Sequence, residues 1–251
     1  MKILISNDDG IDSVGIQCLA RAARHLGDVV VVAPERERST VSHSLTLHKP
    51  LRVYERGATQ FAVSGSPADC VYIGMREVLH AKPDVVLSGI NRGANLGNDI
   101  FYSGTVAAAR EAALLGIPSY AFSLVYDDGS SPSEADFSEA ADIAVEVVRK
   151  CQAVPFPTQS LLNVNIPKIA AGERKGICVA RQGFRHYSNA VQRREDPRGK
   201  AYFWLGGTYE RFEPIENSDC ALLAQGWTTV VPLTLDTTHN EFFQMLKPVL
   251  K

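Results

Sequence analysis

No two of the five cysteines, at positions 18, 70, 151, 178 and 220, stand at metal-ligand spacing, and their number is odd. That argues against a disulfide framework and a cysteine-type zinc site, and favours a reducing, cytoplasmic setting. No stretch approaches the roughly 18 apolar residues of a membrane span. The apolar run at the N-terminus is too short for a secretory signal and is broken at once by Asp8 and Asp9. Net charge is only −2, so no global charge calls for a nucleic acid or membrane partner. The six histidines show no His-Glu-x-x-His spacing, and no Ser-His-Asp nucleophile pattern is evident. Neither the Gly-x-Gly-x-x-Gly dinucleotide fingerprint nor the P-loop pattern occurs in the glycine-rich stretches. Internal repeats and low-complexity tracts are missing too.

What is present is an alternation of buried strands and amphipathic helices. The chain has 251 residues, 45% hydrophobic and 22% charged, enough for one sizeable core. Residues 2–6 read as a buried strand. Ile16, Leu19, Ala20, Ala23 and Leu26 share a helical face that Gly27 stops, and 28–34 form a second buried strand. Strand, helix and strand in about 35 residues make a βαβ unit, hence a parallel sheet. Residues 51–54 and 61–64 read as strands around an Arg56-Gly57 turn. Ser66-Pro67 then opens a helix as N-cap and first helical residue. Further strands are expected at 84–88, 117–124, 161–166, 176–180 and 228–233. Helices are expected at 103–116, around Phe137 to Val148, and at 241–250. Residues 126–133 read as a turn-rich loop. Residues 181–215 are polar and poorly periodic, with Tyr202-Phe203-Trp204-Leu205 as one apolar island. The fold class expected is α/β, with a doubly wound, mostly parallel sheet.

Ligands bind such sheets beyond the carboxyl ends of the strands. Asn7-Asp8-Asp9-Gly10 follows the first strand, Ser39-Thr40 lies in the tip after the second, and Asn91 follows the strand at 84–88. Two adjacent carboxylates repel each other and call for a cation or strong donors. Taken alone, Asp8-Asp9-Gly10 also reads as a plain turn; its place at a switch point favours a metal. Asp8, Asp9, the Ser39 hydroxyl and the Asn91 amide make an all-oxygen set, suited to Mg²⁺, Mn²⁺ or Ca²⁺ rather than zinc. Tyr102-Ser103-Gly104-Thr105 opens a helix, and helix N-termini bind phosphate. Ser103 also reads as a simple N-cap. Together these features point to metal-assisted hydrolysis of a phosphate ester. His43 reads as a loop or core residue. Residues 174–200 hold eight Lys or Arg against Glu195 and Asp196, and read as a solvated or oligomer-forming arm.

The chain resembles the SurE family of survival proteins, which act as nucleoside monophosphate phosphatases. The resemblance rests on an ordered set of motifs over most of the chain. Among them are Ile3-Leu4-Ile5-Ser6-Asn7-Asp8-Asp9-Gly10, Arg38-Ser39, Gly65-Ser66-Pro67-Ala68-Asp69-Cys70-Val71, Ser88-Gly89-Ile90-Asn91, Asn95-Leu96-Gly97, Tyr102-Ser103-Gly104-Thr105-Val106 and Leu162-Asn163-Val164-Asn165-Ile166-Pro167. It implies a Rossmann-like core with a protruding hairpin and an exchanged C-terminal segment. The expected layout is one domain over 1–251, with a core at about 1–180 and an oligomerisation arm and tail at about 181–251. The resemblance implies a metal, Mg²⁺ or Mn²⁺, on Asp8, Asp9, Ser39 and Asn91, with Asp8 and Asp9 catalytic. It implies phosphate contacts at Asn95, Ser103, Gly104 and Thr105. It implies hydrolysis of nucleoside 5′- and 3′-monophosphates, and in some members of polyphosphate, by a homodimer or homotetramer. A non-catalytic module binding nucleotide and metal is the alternative. The chain departs from the family pattern at Ser13-Val14, at Glu37 and Thr40, and at Asn98.

Overall fold

A computed structural model describes residues 1–126, 131–188 and 190–250. Its frame is a nine-stranded sheet. In chain order the first half supplies β1 (Lys2–Ser6), α1 (Val14–Ala23), β2 (Asp28–Pro34), β3 (Val53–Gly57), β4 (Gln60–Val63), α2 (Pro67–Ile73), β5 (Val85–Arg92) and α3 (Gly104–Leu114). Then come β6 (Ser119–Val125), α4 (Glu134–Cys151), β7 (Ser160–Pro167) and β8 (Gly176–Val179). The remainder holds β9 (Arg185–Tyr187), β10 (Ala190–Glu195), β11 (Ala201–Gly206), β12 (Tyr209–Phe212), α5 (Asp219–Leu223), β13 (Trp227–Thr234) and α6 (Asn240–Leu246).

The sheet order is β3-β4-β2-β1-β5-β6-β7-β13-β8. From β4 to β7 every neighbouring pair is parallel. β3 pairs antiparallel with β4, and β13 antiparallel with β7. Alternation along β1 splits the core between two faces. Ile3 and Ile5 pack with Ile16 and Leu19 of α1 and with Phe137 and Ala144 of α4. Leu4 packs on the other face with Val71 of α2 and Ala108 and Ala112 of α3. This is the doubly wound arrangement expected. The strand order reverses between β1 and β5, which places the switch-point crevice at their carboxyl ends.

Several boundaries differ from expectation for local reasons. α1 stops at Ala23, because His25 and Leu26 donate to carbonyls three residues back and tighten the last turn. The β3–β4 turn sits at Ala58-Thr59, not Arg56-Gly57, because a bulge between Glu55 and Gly57 carries β3 further. The helix from Ser66 has the expected cap and Pro, completed by the Ser66 backbone N–H, which donates to the Asp69 carboxylate. β5 runs past Ser88 to Arg92. A register shift lets Asn91 and Arg92 rejoin β6 opposite Ser123 and Leu124.

The irregular stretch 181–215 is an arm. β10 and β11 form an antiparallel hairpin, and β9 pairs with β12 at its root. Every residue of β10 and β11 is exposed, including Phe203, Trp204 and Leu205. α6 buries none of its residues either. β13 lies between β7 and β8, so the sheet draws on residues beyond 180. Its run Thr228 to Val231 is buried, at the place of the strand expected at 228–233. The turn-rich loop expected at 126–133 falls partly on residues 127–130, outside the described residues.

Candidate active site

The tips of β1, β2 and β5 and the start of α3 meet around one cavity of about 1030 Å³. Asp8, Asp9, Ser39, Asn91, Asn95 and Ser103 all line it. Tips far apart in the sequence are thus brought together as the switch-point rule requires.

Asp8 is almost wholly buried, with 4% of its surface exposed. Its Oδ1 accepts a 2.5 Å hydrogen bond from the Thr105 hydroxyl, and the Thr105 backbone N–H also faces the carboxylate. Burial lifts the Asp8 carboxyl from the ordinary 3.8 to about 6; the Thr105 hydroxyl opposes this and the Asp9 charge adds to it. Asp9 is half-buried and accepts from the Arg92 backbone N–H at 3.1 Å. Burial raises its carboxyl as well, with the Glu37 charge adding to the effect.

Asn91 is aimed by backbone geometry. Gly89 adopts φ +128°, and a Cβ there would stand 2.4 Å from the Phe122 carbonyl oxygen. Only glycine allows β5 and β6 to approach so closely at that φ. Asn91 Nδ2 donates to the Gly93 carbonyl at 2.9 Å, which leaves Oδ1 as the amide's free electron-pair donor. Ser39 is exposed on the strap after β2, and its hydroxyl donates to Glu37 at 2.6 Å. The strap is pinned by Arg38 N–H on the Asp8 carbonyl and by Ser42 N–H on the Tyr102 carbonyl. His43 Nε2 meets the buried Glu111 carboxylate at 2.8 Å, so it is a strap anchor and does not line the cavity.

Thr105 has no exposed surface, and its hydroxyl is committed to Asp8. A Cβ on Gly104 would lie 2.7 Å from Asp8 Cβ, so Gly104 lets the carboxylate seat against the helix tip. The anion seated at this helix tip is the Asp8 carboxylate. Ser103 caps the helix, accepting from Val106 N–H at 3.0 Å, and still lines the cavity. Its hydroxyl proton remains available to donate. Asn95 is tied down by Asn163 and Asn165, whose Nδ2 groups donate to its carbonyl at 2.8 and 2.9 Å.

The donor set fits a hard divalent cation. Neither Asp8 nor Asp9 forms a salt bridge among the described residues. Two mutually repelling, part-desolvated carboxylates facing one cavity are relieved by an ion with oxygen ligands. Among the described residues no three His, Cys, Asp or Glu side chains gather into a metal cluster; the cavity also offers the Ser39 hydroxyl and the Asn91 amide oxygen. In the metal-free protein the raised Asp8 carboxyl favours folding below pH 3.8, and this contribution is lost as pH rises through about 6. An ion competes with that proton. Mn²⁺ affinity measured by titration calorimetry should therefore fall about tenfold from pH 7 to pH 5. Equal affinity at the two pH values would show that Asp8 does not hold the ion.

Residues that sequence reading did not single out also line the cavity: Arg92, Asp99, Arg185 and Tyr187. The last two come from the arm. Their alternation, Phe184-Arg185-His186-Tyr187, is too short to read as a strand from sequence.

A family model described as "Survival protein SurE" matches residues 3–189. The chain is 46% identical over 246 residues to a protein of Syntrophotalea carbinolica named "5'-nucleotidase SurE", covering 98% of this chain and 96% of that one. It is 46% identical over 247 residues to the protein of the same name from Geobacter sulfurreducens, covering 98% and 93%. Among solved structures, the SurE protein of Aquifex aeolicus superimposes with a TM-score of 0.85 at 43% identity, covering 99% of each chain. The chain belongs to the SurE family.

Proposed function

We propose that the chain is a metal-dependent phosphatase that hydrolyses nucleoside 5′- and 3′-monophosphates to nucleoside and phosphate. The observation that carries this is one cavity lined by Asp8, Asp9, Ser39 and Asn91 together with the donors Asn95 and Ser103. Relatives named 5′-nucleotidase at 44–47% identity over nearly the whole chain support it. Asp8, Asp9, Ser39 and Asn91 would hold one Mg²⁺ or Mn²⁺, and Ca²⁺ fits the same oxygens. When bound, such an ion polarises phosphoryl oxygens and lowers the pKa of water.

The chain's own groups do the rest. Thr105 and the α3 tip fix the Asp8 carboxylate. Asp9, half-buried at the cavity wall, orients the attacking water opposite the leaving ribose oxygen. Ser103, whose oxygen already accepts from Val106, donates its proton to a phosphate oxygen. Asn95 Nδ2 gives one proton to Ser123 at 2.8 Å and keeps the other for the phosphate. These donors meet charge that grows on the phosphoryl group, where preorganised hydrogen bonds count most.

The arm and the tail after 234 present unpaired apolar surface. They support assembly as a homodimer or homotetramer, with one domain over 1–251 in each copy. Five free cysteines suit a cytoplasmic location. No helix among the described residues is long and apolar enough to cross a membrane.

The test is phosphate release from a panel of nucleoside monophosphates and polyphosphate, with EDTA and with each divalent ion restored. Release that EDTA abolishes and Mg²⁺ or Mn²⁺ restores is expected. No release with any ion would leave a binding module as the function. In the same assay Ser39→Ala should lose only about tenfold in kcat, since water replaces a hydroxyl ligand. A loss as large as that of Asp9→Asn would make Ser39 more than a ligand.

A further inference from the structure

Beyond its acidic end, the cavity is walled by the root of the arm. Arg185 and Tyr187 line it there. The same two residues, with Gly93 and Ala94, also line a second recess of about 760 Å³. The two spaces therefore meet at one threshold. The first is lined by carboxylate, amide and hydroxyl groups beside Tyr102 and Phe137, and the second brings the rings of Tyr126, Tyr209 and Phe212 together with Thr208 and Cys220.

The threshold is fixed by its own bonds. Asp99 Oδ2 accepts from the Tyr187 hydroxyl at 2.7 Å and from the Arg185 guanidinium at 2.5 Å. The Arg185 backbone N–H donates to Asn98 Oδ1 at 2.6 Å. The guanidinium lies 4.1 Å from the centre of the Tyr209 ring, and the Tyr187 and Tyr209 rings meet edge to face at 5.9 Å. The Arg185 charge is thus matched by Asp99, and the rings are held before anything binds. A pre-set aromatic wall costs little further ordering on binding. Gly93, with φ +119° and nothing within 4 Å of where a Cβ would stand, leaves the passage open.

A nucleoside monophosphate has an anionic end, which the hydroxyl and amide donors of the first space suit, and a flat ring, which the aromatic side chains of the second space suit. We propose that Tyr187 and the aromatic recess behind it take the nucleoside end of the substrate, with Asp99 and Arg185 holding Tyr187 in place. This rests on the nucleotidase reading above and deepens it. Every base presents a π-face, so recognition by stacking is tolerant of base identity. The subsite therefore sets affinity for nucleosides as a class.

The test separates the two ends of the substrate by product inhibition of AMP hydrolysis. Adenosine probes the nucleoside end and inorganic phosphate the acidic end. In Tyr187→Ala the inhibition constant for adenosine should rise about tenfold, while that for phosphate stays unchanged. Tyr187→Phe keeps the ring and should stay within about threefold of the unmodified protein. If Tyr187→Ala does not fold, Tyr126→Ala in the recess carries the same comparison. The proposal is overturned if adenosine does not inhibit the unmodified protein at millimolar concentration. It is also overturned if the variant weakens both inhibitors equally, or neither. Absence of AMP hydrolysis in the unmodified protein would instead defeat the nucleotidase reading, and this proposal with it.

Discussion

Asp9→Asn and Asp8→Asn should each lower kcat for a nucleoside monophosphate by at least about 100-fold, with no loss of thermal stability. Both replacements keep the shape of the side chain. In Asp9→Asn the new amide oxygen can still accept from Arg92 N–H, and in Asp8→Asn it can still accept from the Thr105 hydroxyl. What disappears is charge. Asp8 is buried, and its carboxyl is lifted to about 6, so at pH 7 the folded protein carries a charge that burial disfavours. Removing it should leave the metal-free melting temperature unchanged or raised. Activity depends on that same charge to hold the ion. A joint reading of kcat and melting temperature therefore separates a ligand from a structural acid. If both variants turn over near normally, the ion sits elsewhere. If both melt far earlier, the acids serve the fold instead.

Gly104→Ala should cost about 100-fold in kcat while changing no polar group. The added methyl would stand 2.7 Å from Asp8 Cβ and 2.9 Å from Asp8 Oδ2. Carbon atoms pack at roughly 3.5–4.0 Å, so the carboxylate and the helix tip must part by about 1 Å. A displacement of that size at a reacting centre is enough for a loss of about 10². Overpacking of a buried contact should also lower stability by about 1–3 kcal/mol. The comparison is Thr105→Val, which removes the hydroxyl from Asp8 Oδ1 but leaves Gly104 in place. It should lose less activity than Gly104→Ala, because the helix tip still supports the carboxylate. Steady-state kinetics with Mn²⁺ saturating would show the order. An unaffected Gly104→Ala enzyme would mean that Asp8 does not need its seat on α3.

The elements that frame the site were the most legible in the sequence. The apolar β-branched runs of β1 and β2 and the helical face of α1 each have one clear period. Asp8-Asp9 follows β1 and so falls at the switch point, whereas Asn91, expected just after a strand at 84–88, lies within β5 at its carboxyl end. Ser66-Pro67 gave the start of α2 by its capping chemistry. The support of Asp8 was less legible. Ser103-Gly104-Thr105 carries the composition of a phosphate-binding helix tip, and no local pattern distinguishes an external anion from the protein's own carboxylate. The arm was recognisable only as irregular. Its strands are exposed on both sides, so they show no buried alternation. Arg185 and Tyr187 lie in β9, only three residues long, and Tyr187 binds Asp99 across 88 residues of sequence, a pairing no local pattern encodes. β13 was expected as a strand. Its place between β7 and β8 depends on long-range pairing, which hydrophobic period alone does not encode.

Calorimetric titration of Mn²⁺ into the metal-free chain, beside Asp8→Asn and Asp9→Asn, bears most directly on the two acids. One ion per chain at pH 7 is predicted for the unmodified protein, with binding weakened at least about 100-fold in each variant. Unchanged stoichiometry and affinity in both variants would contradict the assignment of Asp8 and Asp9 as the metal-holding pair.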